Sequence, residues 1–287
     1  MNRYQNLRRI QGLDPERDHH EIYRTMVLVE FRWDMLMGLQ LAFYRTYGVP
    51  SISRLLDQAG ELTERPRKRA IDTALLMLEL VDNGFSHPRG REVVRRLNRI
   101  HQHYEITNAD FLYVLGTLIF VPTRWLERYG WRSVCCHERT ATYAFYRELG
   151  RRMGIRDIPS SYQAFEAFFD AFEHEHFRPT QASRRLMHAS RELLVGRFPG
   201  PRTPLAEGLA DALLDDRLRE AAGVDPPPSP IRVSLHLAFK IRARVLRFMP
   251  PRREPAGSEG VRYGIRTASI YPRGYRVSDL GPTEPRR

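Results

Sequence analysis

The stretch REVVRRLNRIHQHYEITNADFLYVLGTLIFVPTRWLERYGWR, residues 91–132, decides the fold. Its first part has the apolar spacing of an amphipathic helix, and His101 lies near the end of that helix. A polar turn at residues 107–110 separates it from residues 111–121, which are almost wholly apolar. We predict a second, buried helix there that ends before Pro122, followed by an aromatic and arginine-rich corner. His101 then lies beside an apolar wall, where a haem or a metal ion can be held.

The rest of the chain predicts further helices. Helical apolar spacing recurs over residues 20–47, 51–60, 66–83, 138–153, 160–177, 181–197, 204–220 and 232–248. Neither an alternating strand pattern nor an internal repeat accompanies these segments. We therefore expect an all-α fold. One helical domain should cover residues 1–249, and a flexible tail rich in proline and arginine should follow at 250–287.

The net charge of +12 raises the question of a nucleic-acid partner. Nearly all of the basic residues are arginines, with lysine only at Lys68 and Lys240, and they are spread along the chain. No helix-turn-helix, zinc-finger or RNA-binding motif accompanies them. We therefore expect no nucleic-acid partner.

The cysteines and the apolar segments indicate where the protein works. Cys135 and Cys136 are the only cysteines, and as neighbours they cannot link distant parts of the fold, which fits a reducing compartment. The first residues lack the apolar core of a secretory signal. The longest uncharged apolar run, residues 111–123, is shorter than the roughly 20 residues needed to cross a bilayer. We predict a cytoplasmic protein that is not integral to a membrane.

Two predicted helices carry candidate site residues. Arg69 and Thr73 are four residues apart and share a helix face, with Asp72 beside them. These three side chains can line a polar pocket or form a solvated first turn. His101 can be a ligand or a packed core residue, and His103 points in another direction. Residue chemistry alone leaves these alternatives open.

Two other motifs contain metal-ligand residue types. The CCHE motif at 135–138 has contiguous residues that point in different directions, and no second cysteine pair exists to complete a zinc site. The EHEH motif at 173–176 contains one Glu-x-x-His, but di-iron carboxylate proteins take this motif from two helices. A haem needs only one axial histidine in an apolar pocket with one or two distal polar groups. His101, Arg69 and Thr73 meet that requirement.

Several motifs together resemble the MpaB oxygenase family, which includes the latex-clearing proteins (rubber oxygenases) as distant relatives. The resemblance extends over about residues 20–200. The motifs are RAIDT at 69–73, GFSHPRG at 84–90, RRLNRIHQHYEI at 95–106, NADFLYVL at 108–115, PTRW at 122–125, YGWR at 129–132 and GRRMGIRDIP at 150–159.

This resemblance implies a loosely globin-like helical bundle that binds haem b non-covalently. It implies that His101 is the proximal ligand of the haem iron and that Arg69 and Thr73 are distal residues that contact the cofactor. Latex-clearing proteins have a lysine at the position of Asp72, able to occupy the distal iron site. With a carboxylate there, we expect Asp72 to act as a base, to hold a water or to pair with Arg69.

The resemblance also implies an activity. Characterised members use dioxygen to cleave carbon–carbon double bonds of isoprenoid chains, so we expect a haem-dependent oxygenase acting on an unsaturated apolar substrate. Arg69, Asp72 and Thr73 are its expected catalytic residues. The fungal namesake has a membrane anchor with no counterpart here, so we expect a substrate that is soluble or presented at a membrane surface.

Two alternatives stand beside this expectation. One is a non-catalytic haem-binding or scaffold protein whose arginine-rich helix at 232–248 contacts a partner or makes peripheral contact with an anionic membrane. The other is a non-haem di-iron oxidase.

Overall fold

Helices account for the regular structure of the computed structural model, which describes residues 3–196, 203–251 and 269–282. No strand occurs within these ranges, so the predicted all-α class is confirmed. The fourteen α-helices are α1 Gln5–Gln11, α2 His19–Thr25, α3 Arg32–Arg45, α4 Pro50–Gln58, α5 Glu61–Glu64, α6 Pro66–Asn83, α7 Pro88–His101, α8 Asn108–Tyr129, α9 Cys136–Arg152, α10 Tyr162–His176, α11 Gln181–Val195, α12 Pro204–Asp211, α13 Asp216–Ala222 and α14 Ser229–Phe248.

The core is built around α8, which crosses α3 at close range. A Cβ atom on Gly38 of α3 would lie 2.5 Å from the Cα of Pro122 on α8, so only glycine permits this approach. On its other side, α8 packs against the aromatic face of α10, where Tyr113 stacks on Phe169 with ring centroids 5.5 Å apart. The central position of α8 explains why its apolar residues face protein in nearly every direction.

The predicted end of this helix before Pro122 is wrong, because α8 continues to Tyr129. A proline inside a helix removes one backbone hydrogen bond and normally favours a break or a kink. Here the turns after it are held by burial, since Trp125 and Leu126 are 6% and 1% exposed. The indole Nε1 of Trp125 also donates to Asp34 on α3, at 3.2 Å. Tertiary packing thus outweighs the local signal.

The predicted single helix over residues 20–47 is also interrupted. A π-helical turn, Met26–Glu30, joins α2 to α3, and Phe31 leaves helical geometry with φ −125°. The turn places the carboxylate of Glu30 in the interior, where it accepts a hydrogen bond from Asn6 at 2.9 Å and pairs with Arg132. The apolar pattern does not reveal this interruption, because residues on both sides of it are buried.

The α6–α7 hairpin brings the two candidate site helices together. Gly84 turns the chain with φ +73°, and a Cβ atom on Gly90 would lie 1.7 Å from the carbonyl oxygen of Gly84. Buried Glu79 on α6 accepts hydrogen bonds from the guanidinium of Arg89, which lies in the first turn of α7. The two helices run antiparallel from this closed turn. The start of α6 and the end of α7 therefore lie at the same, open end.

Part of the predicted flexible tail packs on this hairpin. We call residues 269–282 the C-terminal strap. Its Val277 and Leu280 are 1% and 0% exposed, and the carbonyl of Leu280 accepts a hydrogen bond from Arg96 on α7 at 2.8 Å. The tail prediction therefore does not hold for the strap, because apolar side chains and backbone carbonyls bind it to the bundle. The rest of the predicted tail beyond residue 251 lies outside the described residues.

Replacing Gly90 with alanine tests the hairpin constraint. The new methyl group would meet backbone, which cannot move aside without opening the turn, so we expect Gly90→Ala to lower the free energy of unfolding by about 1–3 kcal/mol. Urea denaturation measures this change. The matched control is Gly12→Ala, whose Cβ would make only ordinary contacts, the nearest at 3.5 Å. Equal stability of the two variants would contradict the proposed role of the close approach.

Candidate active site

The imidazole of His101, at the end of α7, is oriented by its own helix. Its Nδ1 atom lies 2.8 Å from the carbonyl oxygen of Leu97. A carbonyl oxygen only accepts hydrogen bonds, so Nδ1 carries the proton and Nε2 of the neutral ring has the free lone pair. No described residue forms a hydrogen bond with Nε2. Metal-ligating histidines use this arrangement, with one nitrogen donating to a carbonyl and the other free to bind.

The surroundings of His101 favour its neutral form. Burial lowers the pKa of the imidazole from its ordinary value, and the nearby positive charge of Arg69 lowers it further. The hydrogen bond to Leu97 acts in the opposite direction without cancelling the effect of burial. The ring of Phe111 on α8 packs on the imidazole, with centroids 5.7 Å apart. At neutral pH, Nε2 is therefore available as a ligand rather than protonated.

Arg69 and Thr73 form a joined polar pair on α6. The guanidinium of Arg69 donates to Oγ1 of Thr73, and that hydroxyl donates to the carbonyl oxygen of Arg69 at 2.9 Å. Arg69 also lies over the ring of Phe43, with 5.7 Å from Cζ to the centroid, and it has no ion pair with any described residue. Burial lowers the pKa of this guanidinium. A buried cation that lacks a paired carboxylate is suited to an anionic or electron-rich ligand.

Arg69 and His101 are both half-buried at the open end of the hairpin, where the positive charge of Arg69 acts on the imidazole. Phe43 and Phe111 contribute apolar walls from α3 and α8. The open end of the α6–α7 hairpin thus brings together one nitrogen donor, one cation and two aromatic side chains.

The residue types near His101 are those that a haem b would require. Such a cofactor needs one axial donor, apolar surroundings and a small number of polar groups. His101 would supply the donor, Phe43 and Phe111 would supply apolar surface, and Arg69 with Thr73 would supply the polar groups. The sequence grouped these side chains correctly on their helices. It did not single out Phe43, which lies on α3.

Asp72 is placed differently from the other candidate residues. Its side chain is 1% exposed, and Oδ2 accepts hydrogen bonds from Nζ of Lys68 at 2.5 Å and the backbone N–H of Gly281 at 2.9 Å. Oδ1 accepts from the hydroxyl of Tyr271 at 2.6 Å. The predicted pairing of Asp72 with Arg69 is therefore not observed. The carboxylate instead ties the C-terminal strap to α6.

The two other metal-ligand motifs are absorbed into structural contacts. Glu173 of the EHEH motif is buried and accepts hydrogen bonds from Arg45 and Tyr113. Glu138 of the CCHE motif is paired with Arg132. Across the described ranges, no group of three or more histidine, cysteine, aspartate or glutamate side chains is arranged to hold a metal ion. A site of the di-iron carboxylate type is therefore not formed by these residues.

Removing the Asp72 carboxylate tests its structural role. Asp72→Ala leaves the N–H of Gly281 without its acceptor and removes the shorter of the two hydrogen bonds of the Tyr271 hydroxyl, so we expect a loss of about 1–3 kcal/mol of unfolding free energy. Hydrogen exchange should accelerate in the strap, residues 269–282. The control is Asp57→Ala, which removes a surface ion pair with Arg185 and should leave exchange in the strap unchanged. Unchanged exchange in Asp72→Ala would contradict this role.

Comparison with known proteins identifies a matching family. Residues 29–248 match the family described as "ER-bound oxygenase mpaB/B'/Rubber oxygenase, catalytic domain". The ER-bound oxygenase mpaB' of Penicillium brevicompactum is 29% identical over 253 residues, which are 82% of this chain and 60% of that protein. The ER-bound oxygenase mpaB of Penicillium roqueforti (strain FM164) is 28% identical over 219 residues, covering 70% and 74% of the two chains. The mpaB of Penicillium brevicompactum is 35% identical over 153 residues, covering 50% and 39%.

These names correct the predicted cytoplasmic location. All three relatives are named ER-bound, which points to membrane association instead. The mpaB' match also shows that this chain spans less than two thirds of that relative's length. Among the described helices, α8 is long and apolar enough to cross a membrane by length and composition, and 67% of its apolar window is buried inside the fold. Such burial is typical of a core helix.

Proposed function

The chain belongs to the family of mpaB and rubber oxygenase catalytic domains, and from this premise we propose that it is a haem b-dependent oxygenase. Its substrates are dioxygen and an isoprenoid or other unsaturated apolar molecule, in which a carbon–carbon double bond is cleaved. The observation that carries the proposal is the deep-lying imidazole of His101, whose Nδ1 is bound to Leu97 while Nε2 has no partner among the described residues. Cleavage by one dioxygen yields two carbonyl groups, so the overall reaction balances without an added reductant.

The residues of the proposed site have different roles. Nε2 of His101 would bind the haem iron, and the carbonyl oxygen of Leu97 fixes the orientation of the ring. Haem, when bound, supplies the activation of dioxygen. Arg69 supplies a fixed positive charge that stabilises negative charge as it develops on the reacting oxygen atoms. Oγ1 of Thr73 holds the guanidinium in position, so this charge is already oriented before the reaction begins.

The aromatic side chains beside Arg69 and His101 favour an apolar substrate. Phe43 beside Arg69 and Phe111 beside His101 offer aromatic surface, which favours an alkene chain as substrate. Asp72 is left out of the proposed catalytic set, because both of its oxygens already accept hydrogen bonds from Lys68 and the C-terminal strap. A carboxylate held in this way contributes to the fold rather than to proton transfer.

The haem ligand is tested by exchanging one histidine. We expect wild-type protein reconstituted with haem to show a Soret band and His101→Ala to lose it, because the axial donor is removed. The control is His103→Ala, two residues further on, where an exposed side chain is removed and the band should persist. Absorption spectra of the three proteins after identical reconstitution give the answer. A wild-type protein without a Soret band would refute the haem proposal.

Catalysis is tested separately from haem binding. We expect Arg69→Leu to keep the Soret band but to consume dioxygen about 10²–10³-fold more slowly with a polyprenyl test substrate, since the positive charge is lost. The control is Arg67→Leu, an exposed arginine on the same helix, which should react like wild type. Haem-loaded wild-type protein that consumes no dioxygen with unsaturated apolar substrates would instead support a non-catalytic haem-binding protein.

A further inference from the structure

Helix α14 presents an apolar stripe to the outside. Val233, Leu237, Ile241 and Val245 recur every four residues along one face and are each between 55% and 65% exposed. Phe248, in the last turn, extends the stripe and is 84% exposed. Contiguous apolar surface of this kind marks an interaction site more often than scattered single side chains do.

The opposite face of α14 fixes the direction of the stripe. Phe239 is 8% exposed and packs on Trp125 and Tyr129 of α8, with ring centroids 5.2 and 5.0 Å away. Arg242 forms an ion pair with the buried carboxylate of Asp34 on α3 at 2.9 Å. The helix therefore cannot rotate its apolar stripe inward without breaking these contacts. The fold therefore keeps the apolar stripe of α14 directed outward.

The charges of α14 have a single sign. The helix carries five basic residues and no acidic one. Helical spacing places Lys240, Arg244 and Arg247 along one flank of the apolar stripe. Lys240 and Arg244 have no ion pair or hydrogen bond with any described residue, and Arg247 donates to the hydroxyl of Tyr4 at 3.0 Å. The unpaired cations beside the apolar stripe favour a partner that has both apolar surface and negative charge.

We propose that α14 docks this protein on an anionic lipid bilayer. The stripe enters the boundary between headgroups and acyl chains, while the basic flank contacts the headgroup phosphates and carboxylates, as in interfacial amphipathic helices. A second copy of the chain is disfavoured as the occupant, because apposing two such helices brings like charges together. The proposal stands on α14 alone and does not depend on the haem.

Vesicle flotation of the full chain tests this docking. We expect wild-type protein to float with vesicles of phosphatidylcholine and phosphatidylserine, to bind pure phosphatidylcholine much less, and to be released in part by high salt. The double variant Leu237→Gln, Ile241→Gln removes apolar surface without changing the charge, and its binding should fall at least about tenfold. Lys240→Glu with Arg244→Glu should cause a similar loss.

A matched control separates the α14 face from net charge. Arg95→Glu with Arg99→Glu reverses an exposed arginine pair of identical spacing on α7, and binding to the mixed vesicles should persist. Equal loss in this control, or full binding by the glutamine variant, would overturn the proposal. So would failure of wild-type protein to bind, or a dimer in light scattering that the glutamine substitutions dissociate.

The variants also separate this proposal from the proposed function. All four α14 side chains are exposed, so circular dichroism and haem absorbance should match wild type in the glutamine and charge-reversal variants. Loss of vesicle binding with unchanged spectra supports the docking face. The glutamine pair and the charge-reversal pair are independent of each other, so one still tests the proposal if the other fails to fold.

Discussion

The close contact between Gly84 and Gly90 determines how the rest of the candidate site is arranged. At that point the first turn of α7 approaches the carbonyl oxygen that ends α6, with no room for a Cβ atom between them. Two helices held so tightly at one end keep a constant alignment along their length. Arg69 and Thr73 near the start of α6 are thereby set against His101 at the end of α7. A site assembled from distant elements thus depends on a contact at the opposite end of the hairpin.

The C-terminal strap joins the same two helices a second time. On α6, Asp72 accepts hydrogen bonds from Tyr271 and Gly281; on α7, Arg96 donates to the strap. A buried carboxylate is costly unless it is fully paired, and Asp72 satisfies both oxygens through these bonds and Lys68. The resemblance to the latex-clearing proteins implies a lysine at position 72, whereas here the carboxylate at this position holds the strap.

The sequence predicts what depends on neighbouring residues. Helical periodicity correctly located α6, α7 and α9, and the spacing of Arg69 and Thr73 correctly put both on one face. The sequence-based prediction failed where residues distant in the chain determine a contact or the end of a helix. Two of the three partners of Asp72, Tyr271 and Gly281, lie 199 and 209 residues away, and nothing in the apolar pattern around Asp72 indicates these contacts. The helical continuation through Pro122 likewise depends on Gly38 and Asp34, which belong to another helix.

Helices α8 and α14 show that apolar content alone does not indicate how a helix relates to a membrane. Both are rich in apolar residues, but α8 turns them toward protein on most sides, whereas α14 turns five of them outward beside unpaired cations. The cytoplasmic prediction rests on the adjacent cysteines, on the lack of a secretory signal and on the lack of an apolar run long enough to span a bilayer. Peripheral contact of residues 232–248 with an anionic membrane is the alternative that the sequence leaves open. A helix that lies on a membrane needs a different pattern: a modest apolar stripe, a basic flank and a buried anchoring face. Of these three features, only the buried anchoring face cannot be recognised without tertiary contacts. On α14, Phe239 and Arg242 form that face.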